Sequence, residues 1–216
     1  MEQVVPELPE VETMRRGILD VVGAKIAAVH RPRSRLQQIQ VAPTLAALRR
    51  RSVNSTIQRI DRLGKRVVVR LDNDYAIIFE PRMTGLVLLT DPPTQEHLRL
   101  RIDLVGRRRS QLWFWDRRGL GLVHLLHANT VATRLGPPRL GPDALLADAD
   151  LLRQQLGKSR RAIKVALLDQ KTLAGIGNLY ASEILHVAQI DPRRPCCRMT
   201  RAQWSILAES IRTVLE

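Results

Sequence analysis

The residues best suited to chemistry in this 216-residue chain are those that could hold phosphate. In LLDQKTLAGIGNLYASEIL, residues 167–185, Gly175 and Gly177 permit a tight backbone between two helices. Asn178 can cap the second helix, whose N–H groups and positive dipole end suit an anion. In PELPEVETMRRG, from Pro6 to Gly17, Glu7 and Glu10 stand beside prolines. Taken singly, glutamates in a first helical turn merely complement the dipole. Lys65 and Arg66 close LGKR at the start of a strand, where a lone lysine is ordinarily a solvated charge. Cys196 and Cys197 are adjacent, which excludes the paired spacing of a structural zinc site and makes a vicinal disulfide strained. They read as two reduced thiols. The 35 Lys and Arg against 21 Asp and Glu give a net charge of +14. That excess suits a polyanion, because each neutralised phosphate releases condensed counterions. Ribosomal and nucleoid proteins share the same balance.

The pattern also indicates the elements that must position these residues. A helix starts near Pro9, with Glu10 and Glu12 in its first turn and Arg15 and Arg16 after them. Val11, Met14, Ile18 and Val22 recur at helical spacing and face a core. Beyond Gly23 the texture changes to strands. Leu98, Leu100, Ile102 and Leu104 alternate with His97, Arg99, Arg101 and Asp103, which predicts a half-buried strand with a basic outer face. A turn from Gly106 to Ser110 returns it as SQLWFWD, and AKIAAVH, KRVVVRLD and YAIIFE read as further strands. Residues 24–127 are therefore expected to form an antiparallel sandwich or barrel. LGPPRLGP, from Leu135 to Pro142, reads as a linker, and the pattern after it is helical. Thr200 is the predicted N-cap of the last helix, with Gln203 completing a capping box and Met199 stapled to Trp204. Trp204, Leu207, Ala208, Ile211 and Leu215 line one face of it, and no glycine or proline stops it before Glu216. The expected fold class is α+β, with a β-sandwich domain over 1–130, a linker over 131–145 and a helical domain over 146–216.

No apolar run approaches the ~20 residues of a membrane helix. The start, MEQVVPELPEVE, lacks a signal peptide's regions. The expectation is a cytoplasmic, nucleoid-associated monomer.

PELPEVETMRRG resembles the N-terminal signature of the formamidopyrimidine-DNA glycosylase and endonuclease VIII family, and residues 167–185 resemble its helix–two-turn–helix. The resemblance runs from Pro6 to Glu216 with the motifs in family order. It implies a base-excision-repair glycosylase with AP lyase activity, acting on damaged double-stranded DNA held by both domains and excising oxidised purines such as 8-oxoguanine and formamidopyrimidines. It makes Pro6 the nucleophile at C1′, gives Glu7 the proton transfers at the sugar and Glu10 a supporting role, and places Lys65 near the lesion and its flanking phosphate. A Schiff-base nucleophile must be a neutral amine, and an α-amino group, with a pKa of ~7.7–8.0 against ~10.4 for lysine, is far more often unprotonated near pH 7.

PRMTG, with Met83, and FWDRRGLG, with Arg118 and Leu120, match the family's loops that enter the duplex. Extruding a nucleotide leaves a hole that an apolar wedge and an arginine can fill. Leu120 stands where a phenylalanine is common in the family, and leucine wedges but stacks less well. Gly175, Gly177 and Asn178 would meet backbone phosphate, with Lys164 an additional contact. The family's C-terminal zinc finger has no counterpart in this sequence, which is read as truncated, and no cofactor is expected in the chain. The true start is expected at Val5, so that removal of the initiator residue exposes Pro6. Two other readings are a catalytically silent damage binder of the same fold and a basic structural nucleic-acid-binding protein.

Overall fold

The computed structural model describes residues 5–216. It divides into two compact units, one of residues 5–6 and 10–132, the other of residues 7–9 and 133–216.

The first unit holds most of α1 (Leu8–Gly17), then β1 (Lys25–His30), β2 (Gln40–Ala42) and α2 (Leu45–Ser52). Seven strands follow: β3 (Ile57–Leu63), β4 (Arg66–Leu71), β5 (Tyr75–Glu80), β6 (Gly85–Leu88), β7 (Leu98–Val105), β8 (Gln111–Asp116) and β9 (Leu122–His127). They form a four-stranded sheet in the order β1-β7-β8-β6 and a five-stranded sheet in the order β2-β9-β5-β4-β3. The two sheets share one core. Phe79 of β5 and Phe114 of β8 meet with ring centroids 5.5 Å apart, and Val11 and Met14 of α1, with Ile18 just after it, join the same cluster.

The fold is the α+β sandwich that the alternation predicts, with three differences. First, β2 pairs parallel to β9. A tight hairpin would force antiparallel pairing, but these strands are far apart in sequence and free of that constraint. Second, the face of β7 opposite its leucines is not wholly basic and exposed, because Arg99 is only 1 % exposed. The cause is a register shift: Leu98 faces Trp115 and Leu100 faces Phe114, so Arg99 is the extra residue of a bulge and turns aside. Third, the segment before the prolines is a helix, α3 (Ala128–Leu135), so the predicted linker begins inside regular structure.

The second unit is helical: α4 (Ala149–Leu156), α5 (Ile163–Leu168), α6 (Asn178–Val187) and α7 (Arg201–Leu215). Asp148 caps α4 by accepting the Leu151 N–H at 2.7 Å. Thr200 and Gln203 form the predicted capping box on α7, and Met199 packs on the cluster that contains Trp204. Leu8 is fully buried in this unit's core beside Leu167, Ile176, Ile184 and Trp204.

Candidate functional site

The segment between α5 and α6 is where Glu7 and Leu8 find their partners. No helix runs through 169–177, as the two glycines predict. Gly175 has φ +111°, a left-handed conformation that favours glycine, and its carbonyl accepts the Leu8 N–H at 3.0 Å. Gly177, not Asn178, is the N-cap of α6, and no side chain of the helix caps it. The cap comes from Glu7. Its Oε2 accepts the N–H of Gly177 at 2.5 Å and of Tyr180 at 3.4 Å, and its Oε1 accepts the N–H of Leu179 at 3.0 Å. The carboxylate is only 2 % exposed.

This corrects the expectation that these N–H groups await a phosphate. Three of them already face an anion that the protein supplies, in the geometry that helix ends favour for anions. Gly175 and Gly177 are buried, whereas Asn178 and Leu179 at this helix end are exposed. Lys164 is half-buried on α5, donates from Nζ to Ser182 Oγ at 2.8 Å, and lines an open surface cavity of about 530 Å³ with Glu183 and His186.

In the first unit, Pro6 is buried and Glu10 half-buried. Lys65 does not begin a strand; with Gly64 it forms the turn between β3 and β4. That turn is tied to α1. Arg62 donates from Nη1 to the Gly64 carbonyl at 3.1 Å and from Nε to Glu12 at 3.3 Å. Glu12 also receives Arg15 at 2.7 Å and Arg16 at 2.8 Å. Hydrogen bonding from Arg15, then Arg16, outweighs the cost of burial and holds the Glu12 carboxyl down to about 2.

Met83 and Arg118 belong to two loops that touch: Arg118 Nη1 lies 3.0 Å from Met83 Sδ. Arg118 is exposed, and Met83 and Leu120 are half-buried. Beneath them lies Asp116, 0 % exposed, whose carboxylate accepts the Thr84 hydroxyl and the N–H groups of Arg118, at 3.2 Å, and Gly121, at 2.7 Å. Sequence reasoning passed over Asp116 and Thr84, and it set Glu12 in the first turn of α1 without a partner. The available signal was an aspartate placed directly before an arginine pair and two glycines, the composition of a side-chain-stapled turn.

Cys196 is buried and Cys197 exposed, both as free thiols, and burial pushes the Cys196 thiol up. Among the described residues, no three His, Cys, Asp or Glu side chains are grouped to hold a metal ion. No described helix is long and apolar enough to cross a membrane.

A β-sandwich with two basic loop tips, and a helical unit whose tight turn is capped by a glutamate from the chain's start, define the class of helix–two-turn–helix DNA-repair proteins. The sequence matches the formamidopyrimidine-DNA glycosylase N-terminal domain over residues 5–123 and the formamidopyrimidine-DNA glycosylase H2TH domain over residues 140–216. The chain belongs to the formamidopyrimidine-DNA glycosylase family.

It is 36% identical over 219 residues to the formamidopyrimidine-DNA glycosylase of Moorella thermoacetica, covering 98% of this chain and 77% of the relative. The enzyme of Herpetosiphon aurantiacus is also 36% identical, over 228 residues with the same coverages. Among solved structures it resembles the Lactococcus lactis enzyme non-covalently bound to DNA containing an AP site, with TM-score 0.82 and 31% identity over 97% of this chain and 80% of that one. A complex of the same enzyme with N7-benzyl-Fapy-dG DNA also gives TM-score 0.82 at 31% identity, covering 97% of this chain and 77% of that one.

Proposed function

We propose that this chain is a bifunctional DNA glycosylase and AP lyase that binds damaged duplex DNA and excises oxidised purines, 8-oxoguanine and formamidopyrimidines among them. The Pro6 amine, once it is the chain's first nitrogen, attacks C1′ of the damaged nucleotide and the base leaves. The resulting imine then carries β,δ-elimination of the two flanking phosphates. Glu7 serves the proton transfers at the sugar, Glu10 supports it, and Lys65 meets the adjacent phosphate. Met83, Arg118 and Leu120 occupy the space left by the extruded nucleotide. Asn178 and Lys164 contact DNA backbone. The amine itself supplies the electron pair, so the proposed chemistry calls on no cofactor.

The observation that carries this reading is the anchoring of Glu7. Three hydrogen bonds fix the residue bonded to Pro6. A freed Pro6 amine would therefore stand at a held position rather than at a fraying chain end. The test is a duplex with one 8-oxoguanine opposite cytosine, treated with the chain beginning at Pro6. Release of free 8-oxoguanine with cleavage of the lesion strand is expected. Specific binding to that duplex with neither product would leave the silent damage binder, and no preference for it would leave the structural nucleic-acid binder.

A further inference from the structure

The loops that carry Met83 and Arg118 are joined by a buried polar network that serves loops rather than core. Asp116, the last residue of β8, holds Thr84 and Arg118 through Oδ1 and Gly121 through Oδ2. The Arg118 N–H is shared, reaching Thr84 Oγ1 at 3.0 Å as well. From below, the bulge residue Arg99 donates from Nε to the Asp116 carbonyl at 2.7 Å and from Nη2 to the Arg117 carbonyl at 3.2 Å.

Every one of these bonds ends on the loop 116–121 or on the tip of the β5–β6 connection. None ties one core strand side chain to another. A guanidinium at 1 % exposure is a costly tenant. Its Nη1 has no hydrogen-bond partner among the described residues, and an apolar side chain would fill the same space without that cost. The bulge that aims Arg99 at the two carbonyls costs β7 a ladder pairing as well.

We propose that Thr84, Asp116 and Arg99 are positioning residues that preset Met83 and Arg118 as one rigid unit for insertion where a nucleotide has left the stack. The inference rests on the reading given under Proposed function. Two separate loops would each lose freedom on entering the duplex, whereas a joined pair has lost it beforehand. The network should therefore raise affinity for DNA that already contains a gap in the stack, and leave affinity for intact duplex alone.

Asp116→Asn is the obvious variant, but it strikes a fully buried group and risks the fold. Thr84, half-buried at the surface, is the better probe. The chain is titrated against a duplex with one tetrahydrofuran abasic-site analogue and against the same duplex intact, with thermal unfolding recorded alongside. Thr84→Ala is expected to lower the affinity ratio between the two at least about fivefold, acting on the abasic duplex alone. Thr84→Ser, which restores the hydroxyl, should recover the ratio. Arg99→Lys, which cannot span both carbonyls, should lose it partly. Arg118→Ala serves as the reference. If it loses the ratio while Thr84→Ala keeps it, the positioning role is wrong and the reading of Arg118 stands. If Arg118→Ala also keeps the ratio, the reading of Arg118 fails and the inference falls with it. An equal loss on both duplexes in Thr84→Ala, tracking a fall in unfolding temperature, would show a general fold support and overturn the proposal.

Discussion

Gly177 and Glu7 are matched atom against atom. The Gly177 N–H donates to Glu7 Oε2 at 2.5 Å, and a Cβ on Gly177 would overlap the carboxylate carbon of Glu7. Glycine is required here by close approach rather than by backbone conformation, because Gly177 is extended, with φ −125°. Gly177→Ala should therefore expel the Glu7 carboxylate and leave the end of α6 uncapped. Losing charge-assisted bonds at a buried helix end costs about 2 kcal/mol, or about 5 °C in a chain of this size. Thermal unfolding of the variant measures it, and a melting temperature equal to the parent's would show that the carboxylate relaxes without cost.

Glu12 should make stability depend on acid. Its carboxyl sits at about 2 in the folded chain against an ordinary 4.5. A depressed value means stability fully present above about 4.5 and lost as pH falls toward about 2. Glu12→Gln should cost about 1–3 kcal/mol at pH 7. Urea midpoints of parent and variant should differ at pH 7, draw together as pH falls below about 4.5, and converge only near about pH 2. A gap independent of pH would assign the cost to packing instead.

Asn178 and Lys164 are expected to differ in their response to salt. An uncharged amide releases no counterion, so Asn178→Ala should weaken damaged and undamaged DNA alike, about 3–10-fold, with an unchanged salt slope. Lys164→Ala should reduce the slope by about 0.9 if its ammonium leaves Ser182 for a phosphate. Binding titrations between low and moderate salt decide both. An unaltered slope in Lys164→Ala would keep that residue as a strut between α5 and α6.

The strands read correctly from sequence are β1, β4, β5, β8 and most of β7: in β7 the signal is an alternation, and in β4 and β5 it is a short apolar run buried throughout, Val67–Val69 and Ala76–Phe79. β3 was not legible because Ile57, Ile60 and Leu63 recur every third residue. A register shift between Ile57 and Arg59 explains the first step, setting Ile57 and Ile60 both to the buried side despite their odd spacing. The same device hid Arg99. β2, with three residues, is too short to show any period. In the helical unit the two glycines and the capping box were legible because they are local. Glu7 as the cap of α6 was not, since its partners lie some 170 residues away, and no local pattern tells an anion supplied by the chain from one supplied by a ligand.

The last prediction concerns Pro6. While any residue precedes it, its nitrogen is a tertiary amide with the lone pair delocalised into the peptide bond, and it cannot attack a sugar. No arrangement of neighbouring side chains changes that. Placed first in the chain, the same nitrogen becomes a secondary amine in the α-amino range, ~7.7–8.0, with a useful neutral fraction near pH 7. Glu7 is held in place by backbone it does not share with the residues before Pro6, so the anchor should survive their removal. Two forms are to be compared on DNA carrying an abasic site, one beginning at Met1 and one beginning at Pro6, each with its N-terminus verified by mass. Borohydride should trap a covalent adduct with the Pro6 form and none with the Met1 form, while both bind the DNA. Equal trapping by a Met1 form that retains all five preceding residues would require another amine, and the assignment of Pro6 would fall.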